Sequence, residues 1–588
     1  MLWCLTRCLP LITALAVTPT PCSAADQPDV ILIMTDDQGY GDFGIHGNPI
    51  IGTPHLDAMA RRSVRVDPFY VSPVCAPTRA SLMTGRYHYR TRVVDTWVGR
   101  AMMEPEEVTI AEALGDAGYA TAIFGKWHLG DCYPMRPMDQ GFQESLVHRG
   151  GGIGQPADEP GYSGYFDPML WRNGKGQQYE GYCTDVYFDE AMKWIEDKVE
   201  AEEPYFCYLA TNAPHTPLKE VPLDHYGRTR VLQPSPEDYA IERGEPLQDD
   251  WYDDSEARIY AMIRGIDDGI GRLFERLEAM GRLDNTLVVF LNDNGPNSQR
   301  YVSGLRGMKT EVFEGGIRSP LFVHWPAKLA AGRRENTISA HIDVMPTLLE
   351  ACGIDAPTQQ ALDGRSLWPV MLDADASWPE RPIVTQVHRG DVPQLYQHMA
   401  VRLGDWKLLH PTGFGGKGFE GEPTFLLYNL ALDPYEQSEV ACKYPDVVER
   451  LHQSYIDWWD DVSHTRVDNF APPRIVLDAK HEDLVTLTRQ DWRAKAGGTW
   501  VRFSHGTWKL RSERESRWDV TVRLMREGQR ASVLLTGCET AQIGVAEAGA
   551  TELSFSDVSF PAGMLELEAI CRTDEKTYGA FQVVLRAR

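Results

Sequence analysis

The chain has 588 residues, too many for one hydrophobic core, so two or three domains are expected. Hydrophobic residues make up 43% and charged residues 24%, an ordinary globular composition. The net charge of -26 argues against a nucleic-acid binder, which needs a basic face, and means that an anionic substrate would need a locally basic pocket.

Residues 1–25 have the pattern of a secretion signal: Arg7, an apolar stretch over 9–17 broken by Pro10, and the small residues Ser23, Ala24 and Ala25. The stretch is too short to span a bilayer, and no later segment is long enough either, so no membrane span is expected and the protein is placed as secreted or periplasmic. A short membrane anchor is the weaker alternative; Cys22 lacks a convincing lipobox. Removal of Cys4, Cys8 and Cys22 with the signal leaves eight of the 11 cysteines. They are widely spread, which speaks against a dense disulfide framework while leaving one or two bridges open, and no CxxC pair offers a thiolate zinc site.

The run 29–35 predicts a strand buried on both faces, as in a parallel sheet. It ends in Asp36 and Asp37, which are either a solvated turn or a cation site at the mouth of an α/β sheet. Thr53 and Pro54 open a helix. Pro73 and Pro77 bracket Cys75 and discourage regular structure there, with a helix expected over 80–85 and Cys75 near its N-terminus. Thr109 and Glu112 form a capping box. The strand 119–124 leads to Lys126 and His128, a surface pair or two groups on one side of an extended segment. Residues 150–182 are rich in Gly, Tyr and Asp and are expected to form a long loop. A helix over 184–199 precedes the strand 205–210, which leads to His215 on a loop with Pro214 and Pro217. Ile259, Ile263, Ile266, Ile270, Leu273 and Leu277 are spaced as one helix face. The strand 285–291 ends in Asp293 and Asn294, and Lys309 follows before another strand into His324.

The expected fold is thus α/β: a large, mostly parallel sheet sandwiched by helices over 26–376, a smaller α+β subdomain over 377–462, a linker over 463–475, and a β-sandwich over 476–588. A parallel sheet would align the endings of four strands along one edge. Asp36, Asp37, Asp293 and Asn294 offer only oxygen ligands, which suits calcium or magnesium better than zinc; an extracytoplasmic location favours calcium.

Cys75, Pro77 and Arg79, followed by 80–86, carry a Cys-x-Pro-x-Arg motif that resembles the type I sulfatases of the alkaline-phosphatase-like superfamily. The resemblance runs over about 28–440; Thr78 stands where Ser is more usual, and Met308 where Gly is common. It implies that a maturation enzyme oxidises Cys75 to formylglycine and that Ca²⁺ is held by Asp36, Asp37, Asp293, Asn294 and residue 75. It further implies that Arg79 and Lys126 hold residue 75 and the anionic oxygens. His128 is implied as the base that frees sulfate, and His215, with Lys309, as the group that assists the leaving alcohol. The expected activity is sulfuric-ester hydrolysis, with a sulfated carbohydrate as the substrate class by analogy and aryl sulfates as artificial substrates. The competing readings are a phosphonate or phosphate monoester hydrolase on the same fold, and a sulfated-glycan-binding protein without catalysis.

Overall fold

The strand Asp29–Thr35 has no solvent exposure at any of its seven residues. Its side chains alternate: Val30, Leu32 and Met34 enter one apolar cluster, Ile31 and Ile33 the other. Both faces are therefore covered, and the sequence is a continuous apolar run for that reason. In the computed structural model, which describes residues 27–158, 164–218, 255–415, 419–466, 468, 470–495, 504–524 and 530–588, this strand lies in the middle of an 11-stranded sheet.

Numbered along the chain, the principal strands are β1 (Asp29–Thr35), β2 (Val64–Tyr70), β3 (Ala120–Lys126), β4 (Glu144–His148), β5 (Met169–Arg172), β6 (Lys175–Gln178), β7 (Tyr205–Ala210), β8 (Thr286–Asn292) and β9 (Arg318–His324). Their order across the sheet is β2-β9-β8-β1-β7-β3-β4-β5-β6, with Arg334–Glu335 and Ser339–Ala340 pairing onto β2. Strands β8, β1, β7, β3 and β4 run parallel. Their carboxyl ends consequently share one edge, the place where α/β sheets gather ligands. Helices Pro54–Arg62, Cys183–Glu200 and Ser255–Ala279 cover one face; Cys75–Thr84, Ile110–Asp116 and Val344–Ala351 cover the other. The predicted Ile/Leu stripe of Ser255–Ala279 is buried throughout, and Thr109 and Glu112 form the expected capping box.

A four-stranded antiparallel sheet follows, built from Ile383–Gln386, Met399–Leu403, Trp406–His410 and Leu426–Asn429, with helix Pro445–Ser463 packed on it. Beyond it, two further sheets enclose a third apolar cluster containing Trp492, Trp508 and Trp518. The α/β sheet, the smaller α+β unit and the terminal sandwich match the expected fold class.

Several local expectations differ from the structure. The helix at Cys75 starts at that residue and not at Ala80, because Pro77 falls in the first turn, where a missing N–H costs nothing. Residues 150–182 include the antiparallel hairpin β5–β6 instead of loop alone. Strand β2 carries no clear sequence signature because Arg65, Asp67 and Pro68 interrupt its apolar alternation; it pairs with shifted register near the sheet edge. The signal expected at 1–25 lies outside the described residues. The eight cysteines of the described residues are all unpaired. No described helix is long and apolar enough to cross a membrane.

The second sheet is tied to the first by a buried ionic triad. Lys407 Nζ lies 2.9 Å from Glu314 Oε1 and 2.8 Å from Glu436 Oε1, and all three side chains are fully buried. Removing the lysine leaves Glu436 without its cation in a dry interior and Glu314 with Arg318 alone. Lys407→Met is expected to cost about 3–5 kcal/mol, read as a lower denaturant midpoint; a variant as stable as the parent would contradict this role.

Candidate active site

Four of the five parallel strands each deliver one part of a cluster at their carboxyl ends. Strand β1 releases Asp36 and Asp37, β3 ends at Lys126, β7 leads to His215, and β8 leads to Asp293 and Asn294. Two backbone hydrogen bonds splice these ends together: Asp36 N–H donates to Ala213 O, and Asp293 N–H to Thr35 O. Cys75 arrives from the other direction, at the start of its helix, and is 3% exposed. Its loop is held when Thr310 N–H, next to Lys309, donates to Pro73 O at 2.8 Å.

Charges pair closely. Lys126 Nζ lies 2.5 Å from Asp36 Oδ2, Arg79 Nη2 2.8 Å from Asp293 Oδ2, and Lys309 Nζ 2.5 Å from Asp37 Oδ1. The first two pairs have no solvent exposure; Lys309 keeps 15% of its side chain exposed. Arg79 also donates to Lys126 O at 2.9 Å, so two arms of its fork are spent inside the cluster. Burial would raise the Asp37 carboxyl, but Lys309 and His215 outweigh it and hold Asp37 below the usual carboxylate range. Asp293 goes the other way: burial, reinforced by Asp36, pushes it up to about 7 despite Arg79. Burial also pushes the Cys75 thiol up, against the pull of Lys126 and Lys309, which makes the unmodified thiol a poor nucleophile.

Three buried oxygens are left without any donor: Asp36 Oδ1, Asp37 Oδ2 and Asn294 Oδ1. The orientation of Asn294 is fixed because its Nδ2 donates to Asp37 Oδ1 and Gly295 O. Donor atoms of Asp36, Cys75 and Asp293 all lie within 4.8 Å of one another, as do those of Asp36, Asp37 and His215. Unpaired buried oxygens are costly, and a hard divalent cation is the partner this donor set fits.

The two histidines have tautomers set by backbone carbonyls, which can only accept. His128 Nε2 lies 2.8 Å from Thr96 O and must donate to it, which leaves Nδ1 as the lone-pair atom; Nδ1 has no partner. His215 Nδ1 lies 2.8 Å from Thr216 O, which leaves Nε2 free, 3.7 Å from Asp37 Oδ2. Burial drives both rings towards the neutral form, His215 to about 4. An extended segment does not carry Lys126 and His128 side by side: His128 has φ of +60°, so its ring turns to Thr96 while Lys126 reaches Asp36.

The expected site residues thus assemble around one edge of the sheet. Two glycines were not anticipated. A Cβ on Gly151 would sit 2.6 Å from His128 Cε1 and Nε2, and one on Gly152 2.8 Å from His215 Cε1. The triplet Gly150, Gly151 and Gly152 was the available signal. Neither Gly151 nor Gly152 needs a left-handed backbone, so the constraint comes from side chains: the two histidine rings and Gln155, whose Nε2 would lie 2.8 Å from a Cβ on Gly152. Gly152→Ala is expected to lower kcat/KM on the order of a hundredfold by displacing His215 by under 1 Å, with the melting temperature little changed; unchanged steady-state kinetics would remove the loop from the site.

A family model described as sulfatase matches residues 28–354, and another, described as N-sulphoglucosamine sulphohydrolase, C-terminal, matches 308–458. The N-acetylgalactosamine-6-sulfatase of Canis lupus familiaris is 31% identical over 514 residues, covering 76% of this chain and 91% of that protein. Arylsulfatase A of Homo sapiens is 29% identical over 483 residues, covering 73% and 87%. Among solved structures, Ps i-CgsB in complex with k-i-k-neocarrahexaose has a TM-score of 0.61 at 27% identity, covering 76% of this chain and 99% of that one. The phosphonate monoester hydrolase of Agrobacterium radiobacter shares the fold, with a TM-score of 0.52 at 20% identity, covering 74% and 96%.

Proposed function

The chain belongs to the sulfatase family, and from that premise we propose that it removes sulfate from a sulfated carbohydrate outside the cytoplasm, using residue 75 as formylglycine beside a calcium ion. The observation that carries this reading is the buried cluster itself: Cys75 grouped with Asp36 and Asp293, next to three oxygens that lack a donor. The carbohydrate class is favoured by the relatives, one named as an N-acetylgalactosamine-6-sulfatase and one solved in complex with k-i-k-neocarrahexaose.

Asp36, Asp37, Asp293 and Asn294 would hold calcium, which supplies positive charge for the ester's oxygens and lowers the pKa of a hydroxyl beside it. Matured residue 75 would supply a hydrated aldehyde, one hydroxyl of which attacks sulfur while the other lets sulfate depart by re-forming the aldehyde, which water then rehydrates for the next turnover. The remaining work falls to the chain's own side chains. Lys126 and Lys309 face the anionic oxygens as point charges. Arg79, committed to Asp293 and Lys126 O, acts by fixing the cluster, a narrower role than gripping substrate. His215 presents Nε2 to the leaving oxygen; it is neutral in the free site, and the approaching sulfate anion favours its protonated form. His128 presents Nδ1, already deprotonated, as the acceptor for the proton that residue 75 gives up when sulfate leaves.

Peptide mass spectrometry across residue 75 of protein from its native host is expected to find formylglycine, and Cys75→Ala to lose activity by at least about a thousandfold. Full activity with an unconverted cysteine would overturn the mechanism, and faster phosphate or phosphonate release at matched concentration would favour the hydrolase of those esters. Dialysis against a calcium chelator is expected to lower both activity and melting temperature, each recovered on adding calcium. A chelated protein that is as stable and active as before would exclude the bound ion.

A further inference from the structure

The terminal sandwich reaches into the catalytic cluster through one side chain. Gln490 follows the strand Leu484–Thr488 and is 3% exposed. Its Nε2 donates to Thr96 O at 2.9 Å, the same carbonyl that accepts from His128 Nε2, and the two nitrogens are 3.4 Å apart. An amide oxygen in that place would face the carbonyl oxygen, so the amide can stand only one way round, with Oε1 left unpartnered. We propose that Gln490 is a positioning residue for His128, so that the accessory domain completes the active site and is no mere appendage. The proposal rests on the reading of His128 as the proton acceptor.

The geometry around it is that of a clamp. The backbone of the Thr96 loop is bound to the same turn, since Gly99 N–H donates to Gln490 O at 2.9 Å. Gly99 has φ of +66°, and a Cβ there would lie 2.6 Å from Asp491 O, so the approach is as close as backbone permits. The turn is anchored in its own domain: Arg489 donates to Ala580 O and Gly579 O, and its guanidinium stacks on Trp492 at 4.7 Å. From the neighbouring strand Gln582–Ala587, Gln582 Nε2 donates to Asp158 O at 3.0 Å. That bond holds the loop whose Gly151 packs on the His128 ring. The ring is therefore fixed from two sides by contacts that originate in the sandwich. A catalytic imidazole works only within a narrow range of orientation, and here its single hydrogen bond is to a carbonyl that Gln490 also holds.

The test uses the full matured chain and 4-nitrophenyl sulfate. Gln490→Met keeps length and volume without the donor, and Gln490→Glu keeps the shape while placing an acceptor against the carbonyl. For both, kcat per folded molecule is expected to fall about 10- to 100-fold, as for hydrogen-bond partners that orient a functional histidine, with KM unchanged or lower. Because the step assigned to His128 follows release of the phenol, a burst of one nitrophenolate per site should precede the slow steady state; a packing role would produce no burst. Wild-type kcat in Gln490→Met without a burst would overturn the proposal, and if that variant does not fold, the same result in Gln490→Glu would do so. His128→Ala separates the two levels. If it turns over normally, the reading of His128 fails; if it is crippled while both Gln490 variants are normal, only the present proposal fails.

Discussion

Three carboxylates and three cationic side chains are gathered at the end of a parallel sheet with almost no access to water. Each charge alone would be expensive in that place, so the arrangement stands only because every one has an opposite within hydrogen-bond reach: Asp36 with Lys126, Asp37 with Lys309, Asp293 with Arg79. The parallel register is the precondition. Residues far apart in the chain meet because β8, β1, β7 and β3 finish side by side, and the bonds from Asp36 N–H to Ala213 O and from Asp293 N–H to Thr35 O continue the strand pairing into the site. A slip of one residue in any of these strands would turn its terminal side chains to the wrong face.

What the sequence disclosed follows from the same geometry. Long apolar runs such as 29–35 and 205–210 are legible because both faces of their strands are buried, and polar residues directly after such runs stand out. Val64–Tyr70 was illegible because Arg65 and Asp67 break its pattern near a sheet edge. The start of the Cys75 helix was obscured by Pro77, whose first-turn position no periodicity reveals. The direction in which His128 points depends on a left-handed backbone at a non-glycine residue, which pairwise spacing cannot anticipate. Gln490 lay deepest: it is 394 residues from Thr96, and one polar side chain in a β-rich tail carries no local mark of the partner it will find.

The two histidines solve one problem in mirror fashion. In the proposed mechanism each offers a single ring nitrogen to the reaction, and both have the other nitrogen committed to a carbonyl, Nε2 in His128 and Nδ1 in His215. Burial favours the neutral form of both rings. The glycines at 151 and 152 let one loop lie flat against both rings, so the protein reserves the space between them by leaving side chains out.

The balance of charge also bears on why the nucleophile should be a modified residue. With three carboxyl groups already set against three cationic side chains, a divalent cation would bring two further positive charges, and an anionic ester together with an ionised hydroxyl would supply two negative ones. A thiol at position 75, pushed up by burial, would resist ionising. A simple hydroxyl could ionise beside the cation, but its sulfate ester would then need a water molecule positioned to attack the ester itself. A hydrated aldehyde would avoid that attack, because its second hydroxyl lies on the same carbon and can expel sulfate, water being taken up only when the freed aldehyde is rehydrated; a neutral His128 Nδ1 with no other partner is the kind of acceptor to which the proton of that hydroxyl can go.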